Sequence, residues 1–360
     1  MTTPGTVVIV GAGLAGARCA ETLRAEGFKG DVVLVGDEAH APYERPALSK
    51  EFLAGKRDLE EMSLRPNSFW SEQGIDLRLG CRVVDVDRDR KTATTGDGAV
   101  LAWDALVIAT GARVRRLPFP TPSGVHVLRT ADDAIGLRAE LVPGKRLCVV
   151  GGGFVGAEVA STAIELGLEV TMLEAGPAPF ARALGSEIGR MLATRYRRFE
   201  LDLRTGVGAA GFKSANGQVT GVVLSDGREV DCDVALVAVG VEPVHDLAPP
   251  DPEPPVYACG DVAGSRGHWT ATAAEAIDVG RRILGLDAKP GQPPFFWSDQ
   301  FGLRLQLVGD TTGAERVEVE GTDDEFVARY LTADGSLTAA LAANQPAAVA
   351  EFRRELALAA

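Results

Sequence analysis

The chain has 360 residues, 46% hydrophobic and 24% charged, enough for two or three domains with full cores. Its 37 basic and 50 acidic side chains leave a formal charge of −13, which excludes a nucleic-acid binder. No apolar run is long enough to span a membrane and no secretory leader precedes the first Gly-rich turn, so neither membrane nor export is expected.

The N-terminal stretch TVVIVGAGLAGARCAETLRAEGFKGDVVLVGDE predicts strand, turn, helix and strand. An apolar run at Val7–Val10 meets a Gly-rich turn, helical spacing follows through Leu14, Cys19 and Leu23, and a second apolar run covers Val32–Val35. Gly11-Ala12-Gly13-Leu14-Ala15-Gly16 is a G-x-G-x-x-G between strand and helix. The first glycine permits a tight turn, the second lets backbone approach a pyrophosphate, and the third lets helix pack on strand. Asp37, at the end of the next strand, is placed to bind ribose hydroxyls. The stretch ALVIATGARVRRLPFP, residues 105–120, reads as a buried strand with a Gly stop and a proline-rich exit.

The same pattern returns as RLCVVGGGFVGAEVASTAIELGLEVTMLEAG. A strand at Leu147–Val150 leads into Gly151-Gly152-Gly153-Phe154-Val155-Gly156, and a second strand, Val170–Leu173, ends at Glu174. A carboxylate at that point accepts hydrogen bonds from a 2′-hydroxyl and repels a 2′-phosphate, which favours NADH over NADPH, although nearby Arg182 offers an alternative phosphate partner. Two such units imply two dinucleotides, and a flavin with a nicotinamide is the natural pair. The run DVALVAVG, residues 233–240, closes the second unit. From residue 289 onward, short alternating runs and an Ala-rich helix from Pro346 predict a small α+β domain. The five cysteines, Cys19, Cys81, Cys148, Cys232 and Cys259, have no pairing or metal-ligand spacing. That suits a reducing cytoplasm and small buried side chains, and no metal site is expected.

Seven stretches, VVIVGAGLAG, YERPALSK, LVIATGAR, VVGGGFVGAEVA, YACGDVA, HWT and FFWSDQ, occur in one order along nearly the whole chain. Together they resemble the pyridine-nucleotide-dependent flavoprotein reductases, in the ferredoxin reductase branch that serves cytochromes P450 and aromatic-ring dioxygenases. The resemblance implies an α/β, glutathione-reductase-like fold. An FAD domain would cover 1–112 and 241–288, an NADH domain 113–240 and a C-terminal interface domain 289–360. It implies FAD contacts from Gly11, Gly13, Ala15, Gly16, Asp37, Arg45, Lys50, Ala109, Thr110, Gly111, Asp261 and Trp297. NADH would be held by the second Gly-rich turn with Glu158, Glu174 and Arg182. Lys50 and Glu158, from different domains, would converge near the flavin, and Trp297 would stand where the electron acceptor docks. A plain inter-domain salt bridge and a core aromatic are the alternatives for these two features.

Relatives also carry a cysteine pair when they reduce disulfides. This chain has none in the corresponding places, so its electrons would leave the flavin for an external acceptor, an iron–sulfur ferredoxin. Arginine clusters at Arg195, Arg197 and Arg198 and at Arg281 and Arg282 are candidates for the docking face or for solvated helix faces. His268 falls in the HW stretch; His40, His126 and His245 carry no metal spacing. Two departures stand out. Ala274-Glu275 replaces a Glu-Gln pair of the relatives. Between Pro243 and Tyr257, thirteen residues, five of them proline, replace a longer helix-and-strand segment. The expectation is an extended link that leaves Asp261 and FAD binding intact and uncovers one edge of the first domain. A flavin oxidase or dehydrogenase with a small organic substrate, and an NADH-binding redox sensor, are the competing functions.

Overall fold

The computed structural model describes residues 4–247, 253–264, 269–289 and 291–359. By internal contacts the chain forms two compact units. One contains 1–44, 59–113 and 242–292; the other contains 45–58, 114–241 and 293–360.

The first unit is built on a five-stranded parallel sheet. Its order is Val256–Ala258, Ala105–Ile108, Thr6–Val10, Asp31–Val35 and Ile75–Arg78. Ala105–Ile108, Thr6–Val10 and Asp31–Val35 are near-continuous apolar runs because both faces of the sheet are covered there, whereas Ile75–Arg78, at its margin, alternates apolar and charged residues. Val7 and Ile9 join the core beneath the helices Leu14–Ala25 and Trp269–Ile283. Val8 and Val10 point the other way, into a core closed by the antiparallel strands Val83–Asp87, Thr92–Thr95 and Val100–Ala102. The Val256–Ala258 strand pairs with Ala105–Ile108 and, among the described residues, lies at the sheet's edge.

The second unit repeats this plan. Asp202–Thr205, Glu169–Glu174, Arg146–Val150, Val234–Val237 and Val125–His126 form its parallel sheet, and Ala209–Ala215, Gln218–Leu224 and Glu229–Asp231 form its antiparallel layer. A shared device marks the repeat. Asp104 accepts the Gly5 and Thr6 amides (2.8 and 2.9 Å), and Asp233 accepts the Arg146 amide (2.9 Å). Each aspartate therefore ties the starts of two neighbouring strands, Thr6–Val10 to Ala105–Ile108 and Arg146–Val150 to Val234–Val237. The antiparallel layers are additions to the predicted elements, and their turn chemistry explains them. Asn216 and Gly217 have φ of +51 and +80, the left-handed pair of a tight hairpin.

The same unit contains the C-terminal antiparallel sheet, in the order Phe295–Gln300, Leu303–Gly309, Leu337–Ala343, Phe326–Leu331 and Arg316–Gly321, with helix Pro346–Ala359 packed on one face. The segment after Pro243 shows turns at 246–247 and 254–255, and no helix or added strand among its described residues; 248–252 lie outside them. No helix among the described residues is long and apolar enough to cross a membrane.

Candidate active site

In the first unit, Gly11 ends the Thr6–Val10 strand at φ +114. A Cβ there would lie 2.1 Å from the Ala109 carbonyl oxygen, and a Cβ on Gly16 would lie 1.9 Å from that of Gly11. Backbone packing therefore demands both glycines. Gly13 is different. It sits at φ −83 as the N-cap of Leu14–Ala25, gives no side-chain cap, and its Cβ would meet nothing within 4 Å. Open space in front of uncapped helix N–H groups is what a pyrophosphate requires, and the residues present fit an FAD.

Other expected residues gather around this turn. The Ala109 amide donates to the Val10 carbonyl (2.7 Å), the Thr110 hydroxyl donates to the Val244 carbonyl (2.9 Å), and Gly111 turns at φ +71. Buried Ala15 faces the turn before Asp261: a Cβ on Gly260, at φ +82, would come 3.0 Å from that of Ala15. Asp37 is exposed, 3.5 Å from the Arg82 guanidinium. The Glu275 carboxylate accepts the Gly260 amide (3.1 Å), and burial raises its pKa against the opposing effect of that hydrogen bond, with Asp261 adding to the rise. His268 lies outside the described residues.

The second unit repeats the glycine geometry. A Cβ on Gly151 would stand 2.4 Å from the Ala238 carbonyl oxygen and one on Gly156 2.0 Å from that of Gly151, while Gly153 has nothing within 4 Å. Glu174 clamps this turn by accepting the amides of Gly152 (2.9 Å) and Gly176 (2.6 Å). Phe154 opens the helix Phe154–Glu165 and packs on Phe180 and Phe296, with ring centroids 4.8 and 4.4 Å apart. Val155 and Arg182 are exposed.

Lys50 and Glu158 meet, with Nζ 2.9 Å from Oε2 and side chains 11% and 6% exposed. They do so inside one compact unit, although the expected bounds put Lys50 in the FAD stretch 1–112 and Glu158 in the NADH stretch 113–240. The cause is apolar: Leu48, Phe52 and Leu53 of the segment 45–58 are buried, and the Ser49 carbonyl accepts the Thr162 hydroxyl of the Glu158 helix (3.1 Å). Arg45, in the same segment, donates to the Arg129 carbonyl (2.6 Å). Lys50 lies in a π-helical turn, Leu48–Phe52, a geometry that recurs at functional positions.

Sequence reasoning missed the rest of the Glu158 shell. The Ser49 hydroxyl donates to Oε2 and the Ser298 hydroxyl to Oε1 (2.6 Å); the Gln300 amide donates to Ser298 (2.8 Å), and the Tyr196 hydroxyl donates to Gln300. The signal was present in FFWSDQ, where strand alternation sets Ser298 and Gln300 opposite Trp297. Trp297 is half-buried, pairs with Gln306 across the sheet and stacks on Phe295, with centroids 6.0 Å apart.

Four of the five clustered arginines have partners within the molecule, and Arg197 is exposed. Buried Arg195 pairs with Asp324 and donates to the Phe301 carbonyl, Arg198 pairs with Asp323 and Asp324, Arg281 pairs with Glu26, and Arg282 lies over the Tyr257 ring. All five cysteines are free and all but Cys81 are buried. Burial pushes the Cys19 and Cys232 thiols up to about 12, so they stay protonated and unreactive.

Two Gly-rich cradles on duplicated parallel sheets, followed by an antiparallel C-terminal sheet, define a two-dinucleotide oxidoreductase architecture. The pyridine nucleotide-disulphide oxidoreductase family matches residues 5–253 and the Reductase C-terminal family residues 295–360, and the chain belongs to these families. It is 37% identical over 376 aligned positions to the ferredoxin--NAD(+) reductase component of the p-cumate 2,3-dioxygenase system of Pseudomonas putida, covering 97% of this chain and 92% of that one. That alignment is longer than the chain itself, so the relative carries residues absent here. The covalent putidaredoxin reductase-putidaredoxin complex superposes with a TM-score of 0.93 at 31% identity, covering 97% of this chain and 92% of that chain. The ferredoxin reductase for the CYP199A2 system from Rhodopseudomonas palustris superposes with a TM-score of 0.91 at 35% identity, covering 98% and 95%.

Proposed function

We propose that this chain is an NADH-dependent, FAD-containing ferredoxin reductase of the cytoplasm, delivering electrons to an iron–sulfur ferredoxin that serves a P450 or an oxygenase. The observation that carries the reading is the pair of open glycines, Gly13 and Gly153, each fronting an uncapped helix in its own parallel sheet. The names of the relatives supply the acceptor class. Bound flavin supplies the conversion of a hydride into single electrons.

The chain's own residues hold and orient. Gly11, Gly13, Ala15, Gly16 and Asp37 receive the adenosine and pyrophosphate of FAD, with Ala109, Thr110, Gly111, Asp261 and Arg45 along its length. Gly151, Gly153, Phe154, Val155 and Gly156 receive the NADH pyrophosphate. Glu174 is already fixed by two backbone amides and selects a free 2′-hydroxyl. Lys50 offers a cation to negative charge at the reacting rings, while Glu158 compensates it and orients the nicotinamide amide. Trp297 marks the acceptor side. We assign 1–112 and 241–288 to FAD, 113–240 to NADH and 289–360 to the interface domain, with 45–58 anchored in the second compact unit.

Purified protein should be yellow, be bleached in anaerobic stopped-flow mixing by NADH far faster than by NADPH, and be reoxidised on mixing with an oxidised ferredoxin. A colourless protein that takes up no FAD overturns the reading.

A further inference from the structure

We propose that Ser298, Gln300 and Tyr196 are positioning residues for the Glu158 carboxylate, so that the strand presenting Trp297 also sets the orientation of the group that meets the nicotinamide. The inference rests on the functional reading above, which gives Glu158 its place in hydride transfer.

Strand alternation is the first argument. Along Phe295–Gln300, Phe295 and Trp297 share one face, where Arg353 lies over the Phe295 ring. Phe296, Ser298 and Gln300 share the other, against Phe154, Glu158 and Tyr196. Phe154 and Glu158 are one helical turn apart, so two successive side chains of the helix meet two successive inward residues of the strand. The end of the strand is pinned to the same helix: the Phe301 amide donates to the Ser161 hydroxyl (2.8 Å), and Arg195 donates twice to the Phe301 carbonyl (3.1 and 2.9 Å). A shift of this strand therefore moves Ser298 with it.

The direction of the hydrogen bonds is the second argument. Burial keeps the Tyr196 phenol protonated, well above its usual value, and Glu158 adds to that effect, so Tyr196 is a donor. Its donation to Gln300 leaves the Gln300 amide free to donate to Ser298, whose hydroxyl then points at Glu158 Oε1. Lys50 and Ser49 donate to Oε2. Both carboxylate oxygens are thus held by donors from separate parts of the chain, which defines the plane of the group as well as its charge. Ser298 and Gln300 are 0% and 3% exposed, so water offers them no alternative partner.

The test uses the FAD-loaded enzyme carrying Ser298→Ala, Ser298→Thr and Glu158→Gln, and the Ser298→Ala/Glu158→Gln double variant. Calorimetry gives the affinities for NAD+ and for ADP-ribose, which lacks the nicotinamide, and stopped-flow gives the limiting rate of reduction by NADH. In Ser298→Ala, ADP-ribose should bind as in the wild type, NAD+ should bind more weakly, and the limiting rate should fall roughly tenfold, the order expected for one hydrogen bond to a charged group. Ser298→Thr should restore both, and in the Glu158→Gln background removing Ser298 should change the rate less than about twofold. Equal losses of NAD+ and ADP-ribose affinity, an unchanged rate, or the same fold-loss in both backgrounds would each overturn the proposal, since a merely structural serine acts independently of Glu158. A wild-type enzyme that NADH does not reduce overturns the underlying reading instead, before any variant is compared.

Discussion

Replacing Gly13 and Gly16 separately by alanine distinguishes a glycine kept for a ligand from one kept for packing. At Gly16 the new Cβ would lie 1.9 Å from the Gly11 carbonyl oxygen and 3.1 Å from Leu34 Cδ1, so helix and strand must part by more than an ångström. Overpacking of that kind costs about 1–3 kcal/mol. For a unit of this size that is a fall in melting temperature of roughly 2–12 °C. At Gly13 the backbone is at φ −83 and the Cβ meets nothing, so the apoprotein should lose no more than about 1 kcal/mol, mostly from a poorer N-cap. FAD should reverse the ranking. The Gly13 methyl occupies the space a pyrophosphate needs, and a clash of about 1–3 kcal/mol corresponds to a loss of affinity of roughly 5–150-fold. Calorimetric melting of the FAD-stripped variants and FAD titration by fluorescence quenching check both halves. A Gly13→Ala protein that binds FAD within about threefold of the wild type refutes the cradle.

Lys50→Met should destabilise the second compact unit by about 3–5 kcal/mol, because it leaves Glu158 buried beside neutral donors only; adding Glu158→Gln should recover most of that loss in urea unfolding. Glu174→Ala removes a charge held by two amides, and the ratio of kcat/KM for NADPH to that for NADH should rise at least roughly tenfold in steady-state assays. Glu275→Gln tests the raised carboxyl. Burial disfavours its charged form, so the wild type is relatively stabilised in acid and loses that contribution as pH rises through the folded-state value. The variant should therefore melt higher than the wild type at pH 8, with the gap closing on acidification; a gap that widens in acid would reverse the sign of the argument.

Much of this architecture could be read locally. Val7–Val10 and Leu147–Val150 are apolar runs ending in glycine, and the structure extends each by one residue, to Thr6 and Arg146. The two glycine turns were legible because strand, turn and helix start lie within ten residues, where propensity and hydrogen bonding act along the chain. The roles of the individual glycines were not, since Gly13 and Gly16 look alike until the Gly11 carbonyl is set beside one of them. The antiparallel layers were less legible, although Asn216-Gly217 marks a hairpin, because strands such as Thr92–Thr95, Val100–Ala102 and Glu229–Asp231 are too short to show a clear alternation.

What tertiary structure alone decided is the company Glu158 keeps. Its partners Ser49 and Ser298 stand 109 and 140 residues away, and Tyr196 reaches Gln300 across 104. No local rule carries information over such separations. The selection is made because the apolar residues of 45–58 are buried within the second unit, and every buried donor and acceptor there must find a partner among the side chains brought together with it. The sequence by itself determined two dinucleotide cradles and the order of the strands' chemistry. The fold decided that Lys50 belongs with Glu158 in one unit, and that the strand bearing Trp297 turns its serine toward the same carboxylate.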